Sequence, residues 1–389
     1  MISNIYKLYI IKLAKWFMLV MPIVVLFYES NGLSVRHVFI LQAIYSVSVV
    51  VLEIPSGYMA DVLGRKLTLI SGAVLGFLGF LIYSCSYGFW GFLVAEVVLG
   101  IGQSFISGAD SAMLYDSLKQ DNREHEYAKY EGFTMSIGNF AEAIAGVAAG
   151  FLATISLRTP YIIQTVIAFF AIPAAIALVE PKKVTDSAMP GLKAILRVVR
   201  YSLVENRELR YNIIVSSVIG CGTLTMAWFV QPFFIQINLP VKWYGVLWTM
   251  LNILVGITAI FAFRFDKRYG QIKLVTAIVI VISVCFALVG LIASYWALAV
   301  LILFYLLRGV ATPVLKDYIN RLCDSNIRAT VLSVRNFVIR IMFSIIAPIV
   351  GWMCDAYSLS IALYLVAIVV IIVGGVSLVL LKRVLNSNN

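Results

Sequence analysis

Long apolar runs separated by short polar segments make up almost the whole chain. A membrane-spanning helix needs about 20 mainly apolar residues, because only a helix satisfies its own backbone hydrogen bonds inside lipid. On this basis the pattern predicts twelve spans and leaves little sequence for a soluble domain. The predicted spans are 9–28, 35–58, 67–86, 89–113, 130–153, 159–179, 211–235, 243–263, 272–293, 297–315, 330–353 and 358–381.

One long polar interruption, from Glu180 to Arg210, separates six spans from the other six. We therefore expect an all-α integral membrane protein with two six-helix bundles, residues 1–181 and 211–389, joined by a linker at 182–210. In the linker, apolar residues recur at helical spacing between basic ones, namely Leu192, Ile195, Leu196, Val199 and Leu203 with Lys193, Arg197 and Arg200. This pattern is typical of an amphipathic helix on the cytoplasmic membrane surface, and less typical of a calmodulin-type target helix.

The two halves resemble divergent copies of each other. Gly150 in span 5 and Gly351 in span 11 occupy matching positions, and "GYMADVLGRK" after span 2 has a weaker echo in "RFDKRYGQIK" after span 8. Together with the equal number of spans, these echoes favour a transporter built from two repeats.

The composition agrees with a membrane protein. Hydrophobic residues make up 62% of the chain, charged residues make up 13%, and the mean hydropathy is +0.97. Soluble domains contain about 45–50% apolar residues. The five cysteines are scattered and the two histidines are isolated, so we expect neither a disulfide framework nor a metal site.

The net charge of +11 follows the predicted topology. Most of the 30 Lys and Arg residues fall in the N-terminal segment, the even-to-odd connections, the linker and the tail. Arg36, Arg158 and Lys242 lie in the opposite connections, and Arg308 and Arg340 lie within spans. By the positive-inside rule both termini are cytoplasmic. We therefore expect no nucleic-acid binding.

The segment "GYMADVLGRK" carries the most specific signal. Gly57, Asp61, Gly64, Arg65 and Lys66 match, in order and spacing, the Gly-x-x-x-Asp-x-x-Gly-Arg-Lys/Arg signature of the major facilitator superfamily. The chain thus resembles that superfamily, and its pattern is most similar to bacterial efflux members for drugs and small molecules. The resemblance implies two bundles that alternate between open states, with this segment as a latch on the cytoplasmic side.

In the latch that the resemblance implies, the arginine pairs with an acid at the end of span 4, where this chain has Asp116. Independently of the resemblance, Gly64 permits a tight turn, Gly57 permits close helix packing, and Asp61 suits the positive N-terminus of a neighbouring helix. Glu53 is a further candidate for the latch or for a proton path, or it reaches the cytoplasmic surface. The alternative is that the basic residues only set topology. The gate candidates are Glu53, Gly57, Asp61, Gly64, Arg65, Lys66 and Asp116.

Span 4 carries a polar stripe. Glu96, Gln103, Ser107 and Asp110 are spaced so that one helix face holds all four. Drug–proton antiporters of the superfamily commonly have an arginine four residues before the first glycine of this segment. This chain has Glu96 four residues before Gly100, which reverses the sign of the charge and departs from the antiporter pattern.

Span 5 contains "AGVAAG", which resembles a degraded antiporter signature without its usual Gly-Pro pair. We interpret its glycines, Gly146 and Gly150, as residues for close helix packing.

Ionisable residues also lie in spans 5, 10 and 11, and at membrane depth such groups mark functional cavities. Our hypothesis is that Glu96 and Glu142 exchange coupling protons, while Arg308 and Arg340 act as counter-charges or bind an anion. The alternative is a fixed structural ion pair. Tyr305 shares a helix face with Arg308, and it is a further cavity candidate.

Trp228 and Gln231 in span 7 add an aromatic and a hydrogen-bonding group to the predicted cavity. Such a lining suits an amphiphilic organic solute better than a sugar, which needs many polar partners.

We therefore expect a secondary active transporter for a small organic solute, in proton-coupled efflux. The alternatives are a proton symporter or facilitator that imports an anionic solute, and a membrane receptor that transports nothing. The chain has neither a phosphate-binding loop nor a nucleophile elbow, so we expect no enzyme activity, and no cofactor other than an ion gradient. Its expected partners are the solute and the lipid bilayer, and we expect a functional monomer in the plasma membrane of a bacterium.

Overall fold

The computed structural model describes residues 2–107, 109–181, 192–323 and 327–388, and every regular element in these ranges is helical. Twelve helical segments are long and apolar enough to span a membrane, which confirms the predicted fold class. The helices are α1 (Ile2–Trp16), α2 (Val24–Ser30), α3 (Val35–Val62), α4 (Arg65–Cys85), α5 (Phe89–Ile106), α6 (Ala109–Gln120), α7 (Tyr127–Ile155), α8 (Thr159–Phe169), α9 (Ala171–Ile176), α10 (Leu192–Arg200), α11 (Arg207–Gln236), α12 (Lys242–Tyr269), α13 (Gln271–Ile292), α14 (Ala297–Arg321), α15 (Arg328–Ala356) and α16 (Leu359–Asn388).

Three of the predicted spans are each built from two helices. Span 1 consists of α1 and α2, span 4 of α5 and α6, and span 6 of α8 and α9. Between α1 and α2 the chain leaves the α-helix and makes one 3-10 turn at Met21–Ile23, where Pro22 has no N–H to donate. In this interruption the N–H of Leu19 donates to Oε1 of Gln164 at 2.9 Å. A buried side chain of span 6 thus satisfies the backbone where span 1 is interrupted.

Packing divides the chain into two compact units. Unit 1 contains Met1–Thr185 and Leu239–Thr249, and unit 2 contains Asp186–Asn238 and Met250–Asn389. These bounds differ from the predicted bundles because the linker helix groups with unit 2 and the start of α12 groups with unit 1.

The linker explains the first difference. Val198, Tyr201 and Leu203 pack against a buried cluster formed by α11, α14 and α15. Leu196 remains 54% exposed. The apolar stripe predicted to face lipid is therefore divided, with part of it packed on protein. Residues 182–191 of the predicted linker lie outside the described ranges.

A close backbone approach explains the second difference. A Cβ placed on Gly245 of α12 would overlap the carbonyl oxygen of Gly146 in α7. A Cβ placed on Gly150 would lie 2.7 Å from the carbonyl oxygen of Lys242. Thr249 Oγ1 also donates to the carbonyl oxygen of Ala143 at 3.1 Å. Within unit 1, the start of α12 therefore packs backbone to backbone on α7.

The first and last helical segments of unit 1 are joined by hydrogen bonds. Asn4 Nδ2 donates to the carbonyl oxygen of Val179 at 2.8 Å, and the N–H of Val179 donates back to Asn4 Oδ1 at 2.9 Å. Lys7 Nζ donates to the carbonyl oxygen of Ala177 at 2.6 Å. These bonds join α1 to the residues that follow α9.

Candidate functional site

The turn after α3 and the turn after α12 occupy equivalent places in the two units, and we call the end that carries them the basic end of each unit. Gly64 (φ +103°) and Gly270 (φ +71°) stand between the paired helices. Positive φ values are strained for residues with a Cβ, so both turns favour glycine. The two loops, whose sequences are weakly similar, therefore also share a glycine with positive φ.

Arg65 and Asp116 form an ion pair at the basic end of unit 1, with Nε and Oδ2 2.7 Å apart. Glu180 binds the same turn: its two carboxylate oxygens accept the backbone N–H groups of Arg65 and Lys66 at 2.8 and 2.7 Å. A carboxylate at a helix N-terminus is stabilised by the orphan N–H donors and the helix dipole. A Cβ on Gly64 would lie 3.2 Å from this carboxylate.

The sequence reasoning missed Glu180 and assigned the helix N-terminus to Asp61. Glu180 lies 114 residues beyond Lys66, and only its place directly after the last apolar residues of span 6 hinted at this contact. Gly57 and Asp61 belong to α3, and the surroundings of both residues lie outside the described structure. Glu53 is half-buried in the same helix.

Unit 2 carries a similar cluster with the charges exchanged. Asp266, before the α12–α13 turn, accepts a hydrogen bond from Tyr318 and lies 3.1 Å from Nη2 of Arg321, at the end of α14. In unit 1 the turn supplies the base and the end of span 4 supplies the acid. In unit 2 the last turn of α12 supplies the acid and the end of span 10 supplies the base.

Glu96 is buried inside unit 1, with 5% of its surface exposed. Tyr28 Oη donates to Glu96 Oε1 at 2.9 Å, and Gln42 Nε2 donates to the same oxygen. The hydroxyl of Tyr83 is hydrogen-bonded to that of Tyr28. The surrounding side chains are aromatic, and among the described residues no basic group forms an ion pair with Glu96. These partners come from α2, α3 and α4, so sequence spacing did not reveal them.

The predicted polar stripe of span 4 is wrong as a single face. Helix α5 ends at Ile106, Ser107 is extended, and a new helix begins at Ala109. Asp110 therefore projects from α6, where its Oδ2 lies 3.5 Å from Nζ of Lys12. Lys15 and Glu131 line the same small pocket, whereas Gln103 is half-buried on α5.

The candidates in unit 2 are largely buried. Trp228, Gln231 and Tyr305 lie in its interior, and the hydroxyl of Tyr305 has no hydrogen-bond partner in the described structure. The guanidinium of Arg308 lies 5.5 Å from the centre of the Tyr305 ring. Arg340 is half-buried in α15, as is Glu142 in α7 of unit 1.

The role of the two arginines as counter-charges stays a prediction. Across the described ranges, no carboxylate forms an ion pair with Arg308 or Arg340. The buried ionisable side chains of the described structure are instead Glu96 in unit 1 and Arg335 in unit 2. Arg335 lies inside the predicted span 330–353 but was not among the predicted site residues, because sequence spacing does not distinguish it from the exposed residues beside it.

The family model described as the Major Facilitator Superfamily matches residues 9–347. The quinolone resistance protein NorA of Staphylococcus aureus is 24% identical over 176 residues, which is 45% of this chain and 44% of that protein. The uncharacterized transporter BU466 of Buchnera aphidicola is 29% identical over 105 residues, 27% of this chain and 26% of the relative. The chain thus matches less than half of the length of these relatives.

Solved structures match over nearly the whole chain. A point variant of the nucleoside transporter NupG has a TM-score of 0.82 and 11% identity, covering 97% of this chain and 98% of the other. A bacterial homologue of the human lysosomal transporter Spinster has a TM-score of 0.70 and 13% identity, covering 98% and 95%. At these identities the likeness shows a shared fold.

Proposed function

The chain belongs to the major facilitator superfamily, and on that premise we propose that it is a secondary active transporter that exports a small organic solute in exchange for protons. The printed function of NorA, quinolone resistance, supports efflux of an organic compound. The buried carboxyl group of Glu96 is the observation that carries the coupling.

Glu96 has the partners that a proton-exchanging carboxyl group requires. A charge in an apolar interior is costly unless it is paired or well hydrogen-bonded, and Glu96 has hydrogen bonds but no described cation partner. Tyrosine hydroxyls donate to a carboxylate and accept from a carboxylic acid, so Tyr28 serves both protonation states. A rearrangement that opens this cluster to one side of the membrane would change the proton occupancy of Glu96. Glu142 is the second candidate.

A second candidate function is import of an anionic solute by symport or facilitation. Arg308 and Arg340 favour it, because they form no ion pair within the described residues and are free to bind a carboxylate or phosphate.

We place the protein in the plasma membrane of a bacterium as a monomer, with the basic ends facing the cytoplasm. The distribution of Lys and Arg supports this orientation. The Arg65–Asp116 pair and the Asp266–Arg321 pair then act as cytoplasmic latches that stabilise one state of the transport cycle.

The test is a proton-flux assay in liposomes that contain the purified protein and a pH-sensitive dye. A pH gradient is imposed, and organic cations, organic anions and peptides are added in turn. We expect at least one compound to dissipate the gradient at a rate that depends on the protein. A labelled solute that crosses without any proton flux would overturn the coupling, and uptake of anions alone would favour the second candidate function.

The latch is tested by exchanging its charges. We expect Arg65→Asp to slow solute transport by up to about fivefold, because partly exposed ion pairs contribute up to about 1 kcal/mol. The double variant Arg65→Asp/Asp116→Arg restores the pair and should recover most of the rate. The exposed linker pair of Arg200 and Glu205, reversed in the same way, is the control and should leave the rate unchanged. Equal rates for the single and double variants would contradict the latch.

A further inference from the structure

Arg335 is a buried cation without an acidic partner. Only 5% of its surface is exposed. Its Nε donates to Ser216 Oγ of α11 at 2.5 Å, and its Nη1 donates to Asn336 Oδ1 at 3.2 Å. No carboxylate among the described residues pairs with it. A guanidinium carries five N–H donors, so these two bonds leave most of its donors unused.

The side chain points into unit 2 and does not reach towards lipid. Ser333, Asn336 and Phe337, its neighbours on α15, are exposed, whereas Arg335 is buried. A long basic side chain that snorkels to the membrane surface has an exposed charged group, whereas Arg335 is buried. The guanidinium therefore stays in the interior of unit 2.

A second cation lies on α14, a helix that packs against α15. Lys316 of α14 is exposed, and no described acid forms an ion pair with it. From the helix ends, Arg335 lies about 10 Å into α15, Lys316 about 8 Å into α14 and Ser216 about 14 Å into α11. Three helices thus bring two cations and a hydroxyl to a similar depth.

A buried cation is stable only when an anion or strong hydrogen bonds offset its charge, because burying unpaired charge is strongly unfavourable. The described part of unit 2 does not provide that anion. We propose that Arg335 and Ser216 form the core of a binding site for an oxyanion, the carboxylate or phosphate group of a bound molecule, with Lys316 of α14 as a further cation at a similar depth. Arginine suits this role because its planar fork binds both oxygens of a carboxylate or phosphate. The assignment of the oxyanion to a transported solute rests on the proposed transport function, whereas the binding itself does not.

The binding is tested on the purified full-length protein in nanodiscs of neutral phosphatidylcholine. Sodium phosphate, sulfate, acetate and benzoate are titrated at constant ionic strength against chloride, by calorimetry and by thermal unfolding. We expect at least one oxyanion to bind and to raise the unfolding midpoint. Arg335→Gln should weaken its binding roughly ten- to hundredfold, because hydrogen bonds to charged groups contribute about 1.5–3 kcal/mol.

Two further variants separate binding from folding. Arg335→Lys keeps the charge and loses the fork, so it should fold and still bind about tenfold more weakly. Arg328→Gln, at the exposed start of the same helix, should bind like the wild type. Unchanged affinity in folded Arg335→Gln or Arg335→Lys, or no binding of any of the four anions to the wild type, would overturn the site.

Nanodiscs that contain phosphatidylglycerol identify the source of the oxyanion. Weaker binding of the free anion in these discs assigns the site to a lipid headgroup, and unchanged binding assigns it to a soluble molecule, so either result supports the site. No pH gradient is present in these measurements. A failure of the proton coupling at Glu96 would therefore leave this result unaffected.

Discussion

Replacing Glu96 with glutamine should abolish solute transport driven by a pH gradient. Glutamine has nearly the same shape and still accepts the hydrogen bonds of Tyr28 and Gln42 through its amide oxygen, so the helices should pack as before. It cannot bind or release a proton. We expect gradient-driven accumulation of the solute to fall to the level measured without a gradient, while exchange of labelled for unlabelled solute continues.

The matched control for Glu96→Gln is Glu205→Gln, which neutralises a half-exposed acid of the linker and should leave the pH dependence intact. Glu142→Gln tests the second candidate in the same assay. Unchanged gradient dependence in both Glu96→Gln and Glu142→Gln would contradict coupling through either acid. Loss of exchange as well as accumulation in Glu96→Gln would instead assign Glu96 to solute binding or to the fold.

Replacing Gly245 with alanine should destabilise the protein by about 1–3 kcal/mol, the usual effect of forcing an extra carbon into a packed interior. The new methyl group would overlap the carbonyl oxygen of Gly146 and reach the backbone N of Gly150 at 3.0 Å. Backbone atoms cannot move aside as a flexible side chain does, so α7 and the start of α12 must separate. The measurement is the midpoint of thermal unfolding of the purified protein.

The matched control is Gly256→Ala, on the same helix, where an added Cβ meets no atom within 4 Å. Alanine has a higher helix propensity than glycine, by about 0.8–1 kcal/mol in a helix interior, so this variant should be at least as stable as the wild type. The two substitutions introduce the same chemical change, and we expect opposite signs. A Gly245→Ala midpoint equal to or above that of Gly256→Ala would show that the close approach is absent.

The spans and their number were predictable, because a 20-residue apolar run has one stable conformation in lipid. The Arg65–Asp116 pair was also anticipated, since a specific motif fixed the first residue and an equivalent position suggested the second. Interruptions of spans were not anticipated. The helix is interrupted at Ser107, so the residues of the predicted polar stripe lie on two helices and have different partners. The prediction was wrong because residue spacing defines a helix face only when the helix is continuous.

Contacts between residues on different helices could not be predicted from the sequence pattern. The groups around Glu96 come from three other helices. Nothing in the sequence around each of these residues indicates that it contacts Glu96. The presence of Arg335 within the membrane was predictable, because it is an ionisable residue of span 11. Its burial was not predictable, since a helix carries exposed and buried residues side by side and only packing distinguishes them.

The hydrogen bonds between Asn4 and Val179 also impose an order on biosynthesis. The two residues are 175 positions apart, so α1 enters the membrane long before its partner exists. At synthesis rates of about 5–20 residues per second, that interval is roughly 9–35 seconds. During it, the amide of Asn4 lacks its partner on Val179, and the ribosome must complete the sixth span before unit 1 closes. A chain truncated after span 5 therefore lacks the backbone groups of span 6 that bind Asn4 and Lys7 of its first helix.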